Sequence, residues 1–584
     1  MIDLTIFDSC FRWARCHTKK RKCQKCLKFR VPKVQFSFKV VDARIDACHR
    51  SLTRQRRVSI GTQRCWVAFL QASNFELPVS IPASTPVPAF SVREAQVRAP
   101  TNKLLQLGNF CRGVIMKRQT RGHTLSSLWT EPNKPSRPVP LSTGGTRRQF
   151  LSRSGTLVAG SVLTGVALPR IHAAQDNTIR LALVGCGGRG TGAVADAFST
   201  TGGQVRLYAM ADLFEERLKS SLSNLTKGFA DKVDVPPERQ FVGFDAYKKA
   251  IDCLGPGDVV LLTTHAAFRP LQFEYAVNKG VNVFAEKSFA ADAPAVRRWL
   301  KAAEVSEKKN LKVGVGFMWR HSKARQEVIR RIHDGAIGDV HTLRIYRVHG
   351  PVHCPRRPKN VNELVFQLQN PNSFTWVSSG FFIDWHCHNI DVACWTKGAW
   401  PVSAQGMGGR CYEQAGNQFD HYTVEYTFAD GTKLFTFSRH MNGCWNTYSD
   451  YAHGSNGSAV LMATLGQPKP KLYKSHDMAP ANIVWEFGRP DPNPYHAEWQ
   501  VLLNAIRQDK PHNEARRAGE ADVVALMGRM ATHTGRYITW DQALNSDFQF
   551  VEDIDNLTFD TPAPIHAGPG GIYPAPQPGI TKEC

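Results

Sequence analysis

The run Asp384-Trp385-His386-Cys387-His388-Asn389-Ile390-Asp391 is dense in side chains that can move protons. Residues four apart share a helix face, so Asp384 and His388 can act together, and Asp391 adds a carboxylate one turn further on. His386, His388 and the carboxylates are also metal-ligand types. An i, i+2 histidine pair suits a strand, however, and a helix turns the two rings apart, so no metal is expected. A second cluster, Gly185-Cys186-Gly187-Gly188-Arg189-Gly190, is a G-x-G-x-x-G. Glu286-Lys287-Ser288 and Thr263-Thr264-His265 form a third and a fourth.

These clusters gain meaning from the elements around them. Residues 179–184 read as a short buried strand, and a helical run from Thr191 to Ser199 follows the glycines. In that setting Gly185 permits the tight turn, Gly187 lets the backbone approach a pyrophosphate, and Gly190 allows close helix–strand packing. The helix N-terminus offers free N–H groups to the anion. A second strand, Val205 to Ala211, ends at Asp212, which can accept both hydroxyls of an adenosine ribose and would repel a 2′-phosphate. NAD is therefore favoured over NADP, although Arg217 and Lys219 lie close by in sequence. Strands at 258–263, 281–285 and 311–316 alternate with helices at 270–279 and 293–309, which predicts a doubly wound parallel α/β domain over 175–316. Ligands of such sheets bind at the carboxyl ends of strands, where Thr263 and Glu286-Lys287 fall.

Beyond Phe317 the pattern changes. Residues 341–346, 421–428 and 432–440 have strand character, with a tight turn at Ala429-Asp430-Gly431, and 498–509 and 515–535 read as helices. This predicts an α+β domain over 317–547 with a large, mostly antiparallel sheet. The Pro/Gly-rich stretch 548–584 reads as an arm over the surface or a partner subunit, or as a mobile tail.

With these motifs in order, the chain from about Asn177 to Trp540 resembles the glucose–fructose oxidoreductase / inositol dehydrogenase / rhizopine catabolism family, Gfo/Idh/MocA, especially its exported twin-arginine members of planctomycete type. The carrying residues are Gly185 to Gly190, Asp212, Glu286-Lys287 and Asp384-x-x-x-His388-x-x-Asp391, with Gly406-Met407-Gly408-Gly409-Arg410 downstream. The resemblance implies an NAD(P)-dependent oxidoreductase moving a hydride between nicotinamide and a hydroxyl carbon of a sugar, cyclitol or glycoside. It implies that Lys287 contacts nicotinamide ribose and substrate, that His388 is the acid/base, and that Asp384 is its catalytic companion. Imidazole can take a hydroxyl proton near neutrality, a lysine cation stabilises the developing oxyanion, and a carboxylate beside the imidazole fixes its tautomer. The expected cofactor contacts are Gly185, Gly187, Gly188, Arg189, Gly190, Asp212, Thr263, Glu286 and Lys287. Arg269, Trp385, His386, Asp391 and His421 are the candidate substrate contacts, and Trp376, Phe381 and Trp395 are further aromatics that could stack on a sugar or fill the core.

Three departures point to a specialised substrate. The usual Pro after Glu-Lys is Ser288. Many members carry Thr-Pro and a His four residues past the Pro, where this chain reads Thr263-Thr264-His265-Ala266-Ala267-Phe268-Arg269-Pro270. The usual small Met-Gly pair is Trp385-His386, and Trp385 would crowd the pocket.

Charge excludes one class of partner. The 584 residues carry a formal net charge of +25, but 21 of those positive charges belong to residues 1–150. The body is near neutral and has no global reason to bind a phosphate backbone, so no nucleic acid is expected. Residues 1–145 form a basic extension with seven of the 15 cysteines, including the C-x-x-C of Cys23 and Cys26. A solvated tail or translation upstream of the real start, with Met116 as a candidate start, accounts for it better than zinc does. Thr146-Arg147-Arg148-Gln149-Phe150-Leu151, a mildly apolar stretch and Ala173-Ala174 give a twin-arginine-like signal over 146–174, which predicts folded export to the periplasm or beyond. No stretch reaches about 18 apolar residues, so no integral span is expected in the mature form. A compartment poor in free NAD favours a retained cofactor, which keeps two alternatives open: a glycoside hydrolase or epimerase working by transient oxidation, and a non-catalytic carbohydrate-binding protein. A dimer or tetramer is expected from the family.

Overall fold

The computed structural model describes residues 178–412, 414–463 and 469–584. The basic extension and the twin-arginine-like segment lie outside the described residues.

Six short strands, β1 (Ile179–Val184), β2 (Val205–Asp212), β3 (Gln240–Val242), β4 (Val259–Leu262), β5 (Asn282–Ala285) and β6 (Val313–Val315), form a parallel sheet in the order β3-β2-β1-β4-β5-β6. This is the doubly wound dinucleotide-binding order. β4 and β5 are buried along their whole length, as strands covered on both faces must be, which explains their runs of Val, Leu, Phe and Ala. Their carboxyl ends deliver Thr263 and Glu286-Lys287 to one edge.

The second sheet has nine strands: β7 (Val340–His349), β8 (Ser403–Gly409), β9 (His421–Thr427), β10 (Lys433–His440), β11 (Thr447–Gly454), β12 (Gly457–Ala463), β13 (Lys471–Tyr473), β14 (Ile483–Glu486) and β15 (Ile538–Thr539). The order is β14-β13-β12-β11-β7-β10-β9-β8-β15, antiparallel except for the β7–β10 pair. One face is covered by the helices Gly380–Lys397 and Ala515–Thr534, and their side chains merge with Leu343, Ile345, Val424 and Leu434 in one core.

One segment departs from the sequence reading, and another takes the first of the courses left open for it. The helix Pro494–Arg507 follows the second sheet in sequence but packs on the first, with Trp499 stacked on Phe284 of β5 at 4.3 Å. The arm 548–584 is docked on its own chain, burying Leu557, Ala563, Tyr573 and Glu583. Among the described residues no helix is long and apolar enough to cross a membrane.

Candidate active site

The glycine loop is built as its spacing predicts. Gly185 sits at φ +97°, and a Cβ there would lie 2.7 Å from the Thr264 amide nitrogen. A Cβ on Gly190 would strike the Gly185 carbonyl and lie 2.6 Å from Thr263 Oγ1, so only glycine lets the helix Gly188–Phe198 sit this close to the strands. Gly187 and Gly188 face open space, and the helix N-cap, Gly187, has no side-chain capping bond. The free N–H groups thus open on a cavity of about 790 Å³, lined by the loop, Asp212, Arg217, Thr263, His265 and Phe268 among others.

Asp212 closes the loop from below. Its Oδ2 accepts from the Cys186 N–H at 2.6 Å and its Oδ1 from the Phe214 N–H at 2.8 Å. Burial raises its pKa against the pull of those N–H donors. Thr263 donates to the Gly185 carbonyl at 2.5 Å. Arg189 is tied by its Nε to Glu286 at 2.6 Å and also pairs with Asp196 at 3.1 Å. The glycine loop is thereby joined to the end of β5, and Glu286 acts as an anchor for the loop.

Lys287 comes from that strand end, at a cis Lys287–Ser288 bond. Its ammonium lies 3.0 Å from Asp384 Oδ1 and also donates to the Asp384 carbonyl. Burial alone would lower its pKa, but Asp384 leads a set of anionic groups that raise it above the ordinary lysine value, so it stays a cation. Asp384 and His388 lie on the helix Gly380–Lys397, one turn apart. The carboxylate is used on Lys287, and among the described residues no hydrogen bond joins it to His388. The expectation that Asp384 orients the imidazole is therefore replaced by a Lys287–Asp384 pair beside a separate histidine. His388 Nδ1 is buried without a partner among the described residues. Burial first, then Lys287 and Arg347, hold this imidazole well below its usual pKa, so it is a neutral base rather than the near-neutral titrator expected.

The candidate substrate residues separate. Trp385 is half-buried and stacked on His349 at 4.4 Å. His386 is buried in the core, with Nδ1 on the Ser438 hydroxyl. Asp391 is buried between Arg320 at 2.8 Å and Arg517 at 3.1 Å, an internal ion-pair network. Arg269 is buried too, its guanidinium donating to the carbonyls of Thr264 and Ser288, which joins the two strand ends that carry the site. His421 is on β9 against Asp420 at 2.8 Å, with Cys411 Sγ 3.9 Å away. These three could hold a metal, since their ligand atoms lie within 4.8 Å of one another. Both Asp420 oxygens are already used, by His421 and by the N–H groups of Cys411 and Tyr412. Trp376 and Phe381 are core residues, and Arg320 lies over the Trp395 ring at 5.0 Å.

Sequence reasoning placed His265 in a strand-end cluster without giving it a role, and missed Arg347 altogether. His265 lines the cavity where Asp384, Arg269, Arg217 and Lys287 act on it, and burial pushes its pKa down to about 4. Arg347 follows Leu343 and Ile345 in the inward register of β7. A charge in an apolar period-two register was the signal that could have found it.

Comparison with known proteins places the second half. Residues 325–460 match the family model described as the GFO/IDH/MocA C-terminal domain. The chain thus carries a Gfo/Idh/MocA-type C-terminal domain after a doubly wound parallel sheet. It is similar in structure to an aldose-aldose oxidoreductase from Caulobacter crescentus (18% identity, TM-score 0.48, 62% of this chain and 99% of that one). It is also similar to scyllo-inositol dehydrogenase from Lactobacillus casei with bound NAD(H) and scyllo-inositol (20%, 0.45, 62% and 99%). A putative myo-inositol dehydrogenase from Sinorhizobium meliloti 1021 is a third (20%, 0.44, 62% and 99%). No curated protein matches the chain.

Proposed function

We propose that this chain is an NAD-dependent oxidoreductase that moves a hydride between nicotinamide and a hydroxyl carbon of a carbohydrate or cyclitol. The observation that carries the reading is the placement of the Lys287–Asp384 pair, with His388 one helical turn on, at the strand end next to the glycine-loop cavity. The residues fit the cofactor: uncapped helix N–H groups for a pyrophosphate, open space at Gly187 and Gly188, and the Asp212 carboxylate for the ribose. The bound nicotinamide would supply the hydride acceptor or donor. The protein's own groups handle the proton. Neutral His388 accepts it from the substrate hydroxyl, the Lys287 ammonium stabilises the developing alkoxide, and Asp384 holds that ammonium in place.

NAD is preferred over NADP because Asp212 would face a 2′-phosphate, and Arg217 on the cavity wall is the residue that would moderate that preference. Folded export by the twin-arginine route and a retained cofactor are consistent parts of this reading, as is a homo-oligomer. The test is to express residues 174–584, identify any nucleotide released on denaturation, and follow NADH formation over a panel of sugars, glycosides and inositols. NADH formation at the expense of a hydroxyl supports the reading. Failure to bind NAD or NADP at all sinks it, and conversion of a glycoside without net NADH moves the protein to transient-oxidation chemistry.

A further inference from the structure

Near the histidine helix, half-buried Arg347 and buried Arg325 have no carboxylate partner among the described residues. Arg320, Arg517 and Arg529 each hold a carboxylate. Arg347 holds none: among the described residues it makes no ion pair or hydrogen bond, and its Nε is buried without a partner. Its plane is nonetheless fixed, with Cζ 4.1 Å from the Tyr448 ring centroid and 5.3 Å from that of Trp385. Aromatic faces can hold a guanidinium while leaving its N–H edge free for a fork of hydrogen bonds.

Its ring contact with Trp385 ties Arg347 to the histidine helix. Trp385 follows Asp384 directly and precedes His388 by less than one turn. His349, two residues on from Arg347 in β7, stacks on Trp385 at 4.4 Å and has a buried Nε2 without a partner. Burial and then Arg347 keep His349 neutral, with a pKa pushed down to about 4. The neighbouring carboxylate, Asp450, is buried, accepts at Oδ1 from the Asn389 amide at 2.5 Å, and is pushed up by burial to about 7. The cations acting on His388 are Lys287, Arg347, Arg325 and Arg189. Lys287 is paired with Asp384 and Arg189 with Glu286, which leaves Arg347 as the cation beside Trp385 whose N–H edge no side chain among the described residues fills, and a neutral sugar would give it no anion.

We propose that Arg347, clamped between Tyr448 and Trp385, binds an anionic group of the substrate, so that the substrate is an acidic sugar, a uronate or a sugar phosphate, rather than a neutral hexose or cyclitol. The proposal rests on the oxidoreductase reading for placing a sugar between Lys287 and His388. The anion subsite itself does not depend on turnover.

The test is calorimetric titration of the NAD-loaded protein, at fixed ionic strength, with D-glucose, D-galactose, their uronates and glucose 6-phosphate. A charge-assisted fork predicts that an anionic sugar binds about tenfold to a hundredfold more tightly than its neutral counterpart. Whether uronate or phosphate gains identifies the group. Arg347→Met should erase the advantage while leaving NAD binding unchanged, and Arg347→Gln serves if that variant does not fold. Anionic sugars that bind no better than neutral ones, or that keep their advantage without Arg347, overturn the proposal. Tight Arg347-dependent binding without hydride transfer from any of these sugars counts against the oxidoreductase reading and leaves the anion subsite standing.

Discussion

The Lys287 ammonium lies 3.0 Å from Asp384 Oδ1, and the same ammonium donates to the Asp384 carbonyl. One residue near the start of the histidine helix thus fixes the cation through both its side chain and its backbone. Lys287→Met removes the donor that would meet a developing alkoxide, and the expected loss in kcat is on the order of 10²–10³. Asp384→Asn keeps the backbone contact, so Lys287 stays near its place and the loss should be smaller, with NAD affinity unchanged. Single-turnover hydride transfer at saturating NAD measures both. Equal losses in the two variants would mean that Asp384 has a direct role in the chemistry.

The protonation states give a pH prediction. The pKa of His388 is held well below 6.5 by burial and by Lys287, and that of Lys287 is raised above 10.5. A base with a depressed pKa loses activity only as pH falls through the depressed value. The acid limb of kcat/KM for alcohol oxidation should therefore lie well below pH 6.5, and no loss from Lys287 deprotonation should occur below pH 10. A rate that halves near pH 6.5 in the wild type, and not in His388→Asn, would contradict the neutral imidazole assigned here.

The glycine loop separates a structural effect from a binding effect. In Gly190→Ala the new methyl meets the Gly185 carbonyl and Thr263 Oγ1, so stability should fall by about 1–3 kcal/mol, the usual cost of overpacking. In Gly187→Ala the methyl meets nothing within 4 Å, so stability should hold while NAD affinity falls, because that space is reserved for the pyrophosphate. Urea unfolding and fluorescence titration with NAD read the two effects. An unchanged NAD affinity in Gly187→Ala would place the dinucleotide elsewhere.

The sequence was most readable where one residue type has one physical use. Gly185 and Gly190 could be read from spacing alone, because a tight turn and a close approach each need glycine at a particular point. The parallel strands were readable because burial on both faces makes them continuously apolar. Short strands such as β13 and β14 were not, since three or four residues carry no period. The surroundings of the histidine helix were hidden for another reason. Asp384, His386, His388 and Asp391 look alike as a string, and only tertiary partners separate them: Lys287 for Asp384, Ser438 for His386, and Arg320 with Arg517 for Asp391. Those partners come from 52 to 126 positions away, and no local pattern encodes them.

The carboxyl-terminal residues give a stability prediction. Glu583 is buried with Oε2 3.1 Å from Arg529 Nε and Oε1 2.6 Å from His533 Nδ1, and both partners are inaccessible to solvent. Burial by itself would raise the Glu583 pKa, but Arg529 and His533 outweigh it and bring the group down to about 2. A carboxylate depressed on folding stabilises the protein above its unfolded pKa of about 4.5 and loses that contribution as pH falls to about 2. Glu583→Gln leaves a buried guanidinium uncompensated, and the expected loss at pH 7 is about 3–5 kcal/mol. The difference from wild type should narrow between pH 4.5 and 2, because the native residue is then protonated as well. Removing residues 583–584 should cause a similar loss and also free the Ser546 hydroxyl, which donates to the Glu583 carbonyl at 2.7 Å. Chemical denaturation across that pH range decides the matter: a loss under about 1 kcal/mol at pH 7 would rank this pair with ordinary surface ion pairs and show that the arm is held by its apolar contacts alone.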